Sequence, residues 1–459
     1  MIEQANIAVS PARSSLSGIR PAASPSGIRP ARGIPEHLQQ QLKSNVHKEL
    51  IKRLDLERLG TMTEDRNKQH QLFGLIQQLV SEQGVPLSSV ERDRVSQEVL
   101  DEVFGYGPLE PLLNDPTVSD ILVNTYSHVY VERRGVLELS NVVFKDNKHL
   151  MQIIDKIVSG VGRRVDESSP LCDARLPDGS RVNVVIPPLA VDGPILSIRK
   201  FGTKPLTSDD LLRFGAMTAP MLEVLQGAVK ARLNIVVSGG TGSGKTTLLN
   251  VLSGYISPFE RIVTIEDSAE LQVKQEHVVR LETRPPNVEG NGAVKQRELV
   301  INALRMRPDR IILGEVRGEE TLDMLQAMNT GHDGSLTTIH SNTPRDAIAR
   351  METMAMMGSV ALPEKAIRSQ IASAVHLIIQ ASRMSDGSRR ITHITELTGA
   401  YSEVISMNDI FLFEKKGLGP NGKVKGRFYA TGIMPRFAEK LTAAGIPLPT
   451  SLMDHSQEV

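Results

Sequence analysis

A nine-residue stretch, GGTGSGKTT at Gly239–Thr247, constrains this chain more than anything else in it. Upstream, Asn234–Val237 reads as a buried strand, and downstream Leu248, Leu249 and Leu252 recur at helical spacing. Glycines in such a loop let backbone N–H groups approach an anion, and the helix that follows turns its positive end toward it. Gly239, Gly240, Thr241, Gly242, Ser243, Gly244, Lys245, Thr246 and Thr247 are therefore expected to cradle the phosphates of a nucleotide. Lys245 would neutralise the β- and γ-phosphates and the Thr246 hydroxyl would ligate Mg²⁺, which makes ATP and Mg²⁺ the implied ligands. A strand, loop and helix of this kind belong to an α/β fold.

Two acidic strand ends follow. RIILGE at Arg310–Glu315 is an apolar strand ending in a carboxylate, and Glu315 is the expected group for polarising water. Position 314 is glycine where many phosphate-loop enzymes place a magnesium-associated aspartate, so metal support must come from elsewhere. IVTIED at Ile262–Asp267 offers Glu266 and Asp267, with Glu270 close behind. Adjacent strand residues face opposite ways, so one of Glu266 and Asp267 is expected to point into the site, and the sequence leaves the choice open. In GHDGSLTTIHSN, Gly331–Asn342, His332 leaves a glycine-flanked turn and His340 ends a strand; neither has metal-site partners.

Around this centre the composition narrows the alternatives. Lys plus Arg number 53 and Asp plus Glu 53, so no global charge favours nucleic acid or a membrane surface. Tryptophan is absent and aromatic residues make up 3%, which argues against stacking platforms for single strands. Cys172 is the only cysteine; it excludes a disulfide framework and a four-cysteine zinc site, and it is expected to be structural. No run approaches the length of a membrane span and no signal-peptide layout opens the chain, so membrane association is expected to be peripheral.

The chain reads in six parts. Residues 1–35 are Pro/Ser-rich, repeat SGIRPA, and are expected to be a disordered tail. From 36 to 104, Leu38, Leu42, Val46, Leu50 and Leu54, then Leu72, Leu75, Ile76 and Leu79, mark a helical bundle. Residues 105–200 alternate short β-rich runs with one helical stripe, an α+β domain. A linker is expected over 201–210, the catalytic α/β domain over 211–399, and a small β-containing C-terminal extension over 400–459. Met at helical spacing in METMAMMG, Met351–Gly358, is expected to fill core.

The joint pattern GGTGSGKTT, TIEDSAEL, RMRPDRIILGEVRGEE and NTGHDGSLTTIHSN resembles the secretion-superfamily ATPases that power type II, type IV and pilus machines. GYGPLEPLLNDPTVSDILVN, DARLPDGSRVN and HVVRLETRPPN resemble the CpaF (TadA) branch, which drives tight-adherence (Flp) pili. The lone cysteine sets aside type II members with a four-cysteine module and keeps the VirB11-like transfer branch as the alternative. The resemblance implies a cytoplasmic homo-hexamer at the face of the inner membrane, working on membrane platform proteins, with no direct nucleic acid expected. Each subunit would carry a RecA-like P-loop ATPase domain, an N-terminal α+β domain and ATP between the two. It also implies that His332 and His340 sense the γ-phosphate, and that positive side chains reach the nucleotide from the N-terminal domain. Arg175 and Arg181 flank the turn of DARLPDGSR for that role, with Arg199 and Arg280 as weaker candidates. A nucleotide-gated scaffold with negligible turnover is the reading from another class, and a metabolic kinase is disfavoured.

Overall fold

Helix spacing and capping account for the first part of the chain. The computed structural model describes residues 36–53, 66–133, 135–202, 205–286, 291–358, 362–401, 404–449 and 452–459, so the expected tail at 1–35 lies outside the described residues. They fall into two compact units that divide after Gly105. In the first, helices α1 (Glu36–Arg53), α2 (Arg66–Glu82) and α3 (Ser89–Phe104) bury Leu42, Val46 and Leu50 against Ile76, Leu79, Val80, Val95 and Val99. The four-residue spacing of the α1 stripe places those side chains on one face. A reciprocal cap opens α3: the Ser88 hydroxyl accepts from Glu91 N–H, and the Glu91 carboxylate accepts from Ser88 N–H.

The second unit, Tyr106–Val459, contains two sheets. After the short helix α4 (Glu110–Asn114), an antiparallel sheet is built from β1 (Val118–Thr125), β2 (His128–Arg133), β3 (Val136–Leu139), β4 (Leu171–Arg175), β5 (Arg181–Val185) and β6 (Ile195–Arg199). Its order is β3-β2-β1-β6-β5-β4. Strict alternation in β5, with Val182 and Val184 buried and Arg181 and Asn183 exposed, leaves one face for helix α5 (Asn147–Gly160). Leu150, Ile153, Ile154 and Ile157 of α5 fill that core together with the buried thiol of Cys172.

The larger sheet has ten described strands in the order β16-β15-β14-β13-β12-β7-β11-β10-β8-β9. They are β7 (Ile235–Gly239), β8 (Ile262–Glu266), β9 (Val278–Glu282), β10 (Arg310–Val316), β11 (Leu336–Ile339), β12 (Leu377–Arg383), β13 (Arg389–Tyr401), β14 (Val404–Leu418), β15 (Val424–Ala430) and β16 (Ser456–Glu458). Strands β9 to β12 pair in parallel, and β12 to β16 pair antiparallel. Helices α6 (Ser208–Arg213), α7 (Ala219–Lys230), α8 (Lys245–Ser253), α9 (Gln296–Ala303), α10 (Glu320–Asn329), α11 (Pro344–Met356), α12 (Glu364–Ala374) and α13 (Ala438–Ala443) complete the unit. Both faces are covered: Ile235 and Val237 pack with Leu248, Leu249 and Leu252, whereas Val236 packs with Leu325, Met328 and Ile348. That is why every residue of β7, β8 and β11 is buried.

The architecture differs from the sequence reading in three places. Residues 400–459 do not stand apart from the α/β domain. A boundary at 399/400 would cut β13, and Phe411, Phe413 and Phe428 of the following strands lie in the same core as the phosphate-loop helix. Residues 208–210 of the expected linker belong to α6, whose start is fixed by a Thr207–Asp210 capping box. Met351 and Met354 are core residues, but Met356 and Met357 are exposed. Among the described residues no helix is long and apolar enough to cross a membrane.

One buried ion pair anchors the amino end of β10. Arg310 is fully buried; its Nε and Nη2 donate to the two oxygens of Glu260 at 2.6 and 3.0 Å, and Nη1 and Nη2 donate to the carbonyls of Gly334 and Val229. Burial opposes ionisation of Glu260, but Arg310 and then Arg232 outweigh it and hold its pKa below 4.5. A carboxylate with a depressed pKa stabilises the fold above its unfolded value and loses that contribution as pH falls. Glu260→Gln is expected to cost about 3–5 kcal/mol at neutral pH, because it leaves a buried guanidinium without its counter-charge. In urea unfolding the deficit should narrow as pH drops below about 4.5; a deficit that does not change with pH would contradict the ion pair.

Candidate functional site

Because β7, β8, β10 and β11 run parallel, their carboxyl ends share one edge of the sheet, the edge at which open α/β sheets bind ligands. The phosphate loop leaves β7 there. A Cβ at Gly239 would stand 2.4 Å from the Ala381 carbonyl oxygen, and Gly244 takes φ 95° to open α8, so neither position accepts a side chain. Lys245, the first residue of α8, donates from Nζ to the Gly240 carbonyl at 3.2 Å and lies 3.7 Å from Glu315 Oε1. Burial lowers the Lys245 pKa, against the pull of Glu315.

Glu315 is set between two cations. Its Oε1 faces Lys245, and its Oε2 accepts from Arg317 Nε at 2.7 Å and Nη2 at 2.6 Å. Arg317 also donates from Nη1 to Asp267 Oδ2 at 2.8 Å. A carboxylate oriented in this way beside the phosphate loop is placed to accept a proton or orient water.

The two acids left open by the sequence have different surroundings. Asp267 is tied to Arg317 and accepts from the Thr283 hydroxyl at 3.3 Å. Glu266, the last residue of β8, is 4% exposed; its Oε2 accepts from Glu270 and Leu271 N–H at 2.7 and 2.9 Å, and its Oε1 is buried without a partner. Burial raises the Glu266 pKa, and those two N–H donors oppose the rise. The glycine at 314 belongs to the same arrangement: a Cβ there would stand 3.0 Å from Glu266 Cγ. Glu266 thus fills, from the neighbouring strand, the space that an acid at 314 would occupy.

A cleft of about 250 Å³ opens beside the loop. Thr246, Thr247 and Asn250 of α8 form one wall, and Arg181, Arg199 and Lys200 from the smaller sheet form another. Phe201, Pro205 and Leu206 of the connecting segment add an apolar side. Arg181 is held by Glu270 at 3.0 Å and Arg199 by Asp120 at 3.2 Å. Arg175 turns elsewhere, to the Ala269 carbonyl at 2.6 Å and Glu282 at 2.7 Å, so of the two arginines flanking the turn the structure brings Arg181 to the cleft. Arg280 donates to the carbonyls of Ala269 and Leu271.

The histidines separate. His340 follows the carboxyl end of β11, where Ser341 Oγ meets Ser238 Oγ at 2.5 Å under the phosphate loop. His332 lies at the other end: α10 carries the chain back across the sheet, and the 331–334 turn enters the amino end of β11, where Gly334 N–H donates to Asn234 Oδ1 and the Ser335 hydroxyl to His332 O. The expectation that both histidines border the nucleotide of their own chain is corrected for His332, whose Nδ1 is buried without a partner.

Sequence reasoning missed Arg317, although its spacing of two from Glu315 places both on one face of an extended chain. It also missed Gln272, which accepts no motif but donates from Nε2 to Gly202 O at 2.7 Å while its N–H donates to Asn250 Oδ1 at 2.9 Å, joining connector and α8. Given these positions, His340→Ala is expected to lower nucleotide turnover at least tenfold, the scale of a lost charge-assisted contact, and His332→Ala to leave it within about threefold. Steady-state hydrolysis by the two variants is the check, and a larger loss in His332→Ala would reverse the assignment.

Known proteins resemble this chain over much of its length. Residues 102–411 match the family model described as type II/IV secretion system protein. A Mycobacterium tuberculosis protein named for conjugal transfer is 40% identical over 311 residues, covering 66% of this chain and 87% of its own. The type IV secretion system protein PtlH of Bordetella pertussis is 35% identical over 314 residues, covering 62% and 92%. Among solved structures, the VirB11 ATPase of the Brucella suis type IV secretion system, in complex with sulphate, is 28% identical, covers 64% of this chain and 97% of its own, and superposes with a TM-score of 0.34. With two thirds of its length matched by that family model, the chain belongs to the type II/IV secretion system protein family.

Proposed function

We propose that this protein is an ATP hydrolase that converts closure of its N-terminal sheet on its phosphate-loop domain into mechanical work. The observation that carries the reading is the cleft in which Thr246 and Thr247 face Arg181 and Arg199, next in the chain to Lys245, whose Nζ lies 3.7 Å from Glu315. ATP phosphates entering there would draw Arg181 away from Glu270 and Lys245 away from Glu315, pulling the two walls together. Glu315, freed from Lys245 and still oriented by Arg317, would accept a proton from the attacking water. Loss of the γ-phosphate would return both cations to their carboxylates and let the walls part.

The residues fit a magnesium ion. Thr246 would ligate it and Glu266, with its unpartnered buried oxygen, would hold its waters, leaving Asp267 to fix Arg317. When bound, the ion would offset charge on the β- and γ-phosphates. His340, at the site edge beside Ser341, is the γ-phosphate sensor in this reading. The finer identity we propose is a homo-hexameric motor at the cytoplasmic face of the inner membrane that acts on platform proteins to assemble a tight-adherence pilus. The motifs shared with the CpaF branch support it. A second reading, a VirB11-like transfer ATPase, is favoured by the relative named for conjugal transfer; DNA-stimulated turnover would select it.

Lys245→Ala should weaken ATP binding by tenfold or more, since it removes a charged donor. Glu315→Gln should keep ATP affinity while turnover falls roughly 10²–10⁴-fold, because only water activation is lost. Titration of both variants with ATP, alongside turnover measured against mass in the same samples, separates the roles. Equal loss of affinity in the two would defeat this assignment, tight ATP binding without hydrolysis in the unaltered protein would favour a scaffold, and full turnover by the monomer would remove the ring.

A further inference from the structure

Strands β12 and β13 are joined by a tight hairpin beside the phosphate loop: Ala381 of β12 pairs with Gly239 of β7, and Arg383 and Arg389 face each other across the base of the turn. The turn is firmly built. Met384 N–H donates to Ser388 O at 2.7 Å, and the Asp386 carboxylate accepts from Ser388 N–H at 3.0 Å and from Val424 N–H at 2.8 Å. From this base Arg389 Nε donates to the Gly242 carbonyl at 3.0 Å. Arg383 Nη2 donates to the Gly135 carbonyl at 2.6 Å, in the turn between β2 and β3 of the smaller sheet, while its Nη1 lies 3.5 Å from where a Cβ of Gly242 would stand.

These two arginines, like Arg280, rest on carbonyls and have no ion pair among the described residues, unlike the other arginines near the site. Arg175, Arg181, Arg199 and Arg317 each face a carboxylate. Arg383 and Arg389 are exposed and rest on backbone carbonyls. Two adjacent guanidinium groups held in this way add uncompensated positive charge beside a loop that takes an anion. In a planar trans peptide the carbonyl and the following N–H point in opposite directions, so holding the Gly242 carbonyl also fixes the Ser243 N–H, which here donates to the Gly240 carbonyl at 3.4 Å.

We propose that Arg383 and Arg389 are positioning residues that strap the phosphate loop to the N-terminal sheet. Arg389 sets the Gly242–Ser243 peptide for phosphate, and Arg383 ties the same hairpin to the β2–β3 turn, so that the position of the smaller sheet and the shape of the loop change together. The strap rests on the nucleotide reading of that loop and adds to it a route, through the chain itself, from phosphate to N-terminal sheet.

The test uses the full-length protein with MgATP, measuring affinity by titration and hydrogen exchange over residues 133–137 and 239–244, with Lys245→Ala as a control. In the unaltered protein ATP should slow exchange in both segments. Arg389→Gln should weaken ATP about tenfold or more, the cost of a lost charged donor, and Arg389→Lys should recover part of that loss. Arg383→Gln should keep affinity within about threefold but abolish the ATP response at 133–137 while preserving it at 239–244. Wild-type affinity in Arg389→Gln, or a wild-type response at 133–137 in Arg383→Gln, overturns the strap. A lowered unfolding midpoint with the response at 133–137 intact would mark a merely structural role and overturns it too. Failure of the unaltered protein to bind ATP would instead refute the nucleotide reading.

Discussion

Parallel pairing of β7 with β11, β11 with β10, and β10 with β8 brings together side chains far apart in sequence. The register sets Leu313 beside Ile265 and Ile339 beside Ser238, so the residues just beyond these pairs emerge at one edge. Gly239, Glu266 and His340 are those residues, and Glu315 stands one position further along β10, after Gly314. Each strand contributes one group at or just beyond its carboxyl end, and helices cover both faces of the sheet behind it. If one strand slipped by a residue, its terminal acid would turn to the other face and the arrangement would fail. The Arg310–Glu260 pair holds the opposite end of β10, which gives the buried ions a positional meaning in addition to their energy.

The charges at the working edge are balanced in pairs that a polyanion can rearrange. Lys245 with Glu315, Arg181 with Glu270, and Arg317 with Asp267 and Glu315 are all within ion-pair distance. Exposed pairs such as Arg181–Glu270 are worth little by themselves, so exchange of the arginine from carboxylate to phosphate meets a small barrier. The Glu315–Arg317 contact has another character, because Arg317 is also held by Asp267. Glu315 thereby keeps one fixed partner whether or not it is engaged by Lys245.

What was legible in the sequence follows from how local the signal is. The loop at 239–247 and the acid at 315 announce themselves through residue type and strand context, and the stripes at 42, 46 and 50 and at 150–157 mark faces that the structure buries. Glu266 and Asp267 could not be separated, because their surroundings depend on Gly314 and Arg317 of the neighbouring strand end, not on their own segment. His332 was misplaced for a related reason: a histidine motif shows that two residues lie close in sequence, whereas the return through α10 puts them at opposite ends of a strand. Residues 400–459 looked separable because β13 to β15 carry charged residues along one side and lack a clean apolar run; their inward Phe411, Phe413 and Phe428 show their membership only through packing.

Arg383 and Arg389 belong to the class of features that sequence reading does not reach, since they matter through the hairpin that pairs them and through carbonyls at Gly135 and Gly242 that any residue would carry. Their placement bears on how a nucleotide can move a domain. Arg181 lines the open cleft from the smaller sheet, where its exposed pair with Glu270 is an exchangeable contact. The β12–β13 hairpin reaches that same sheet at the β2–β3 turn and is itself anchored to β15 by Asp386 and Val424. A body held at one side by a built contact and at the other by an exchangeable one rotates about the built contact instead of separating. In the motion proposed above, the cleft and the hairpin would play complementary parts: Arg181, on meeting phosphate, would supply the pull, and the strap would fix the axis.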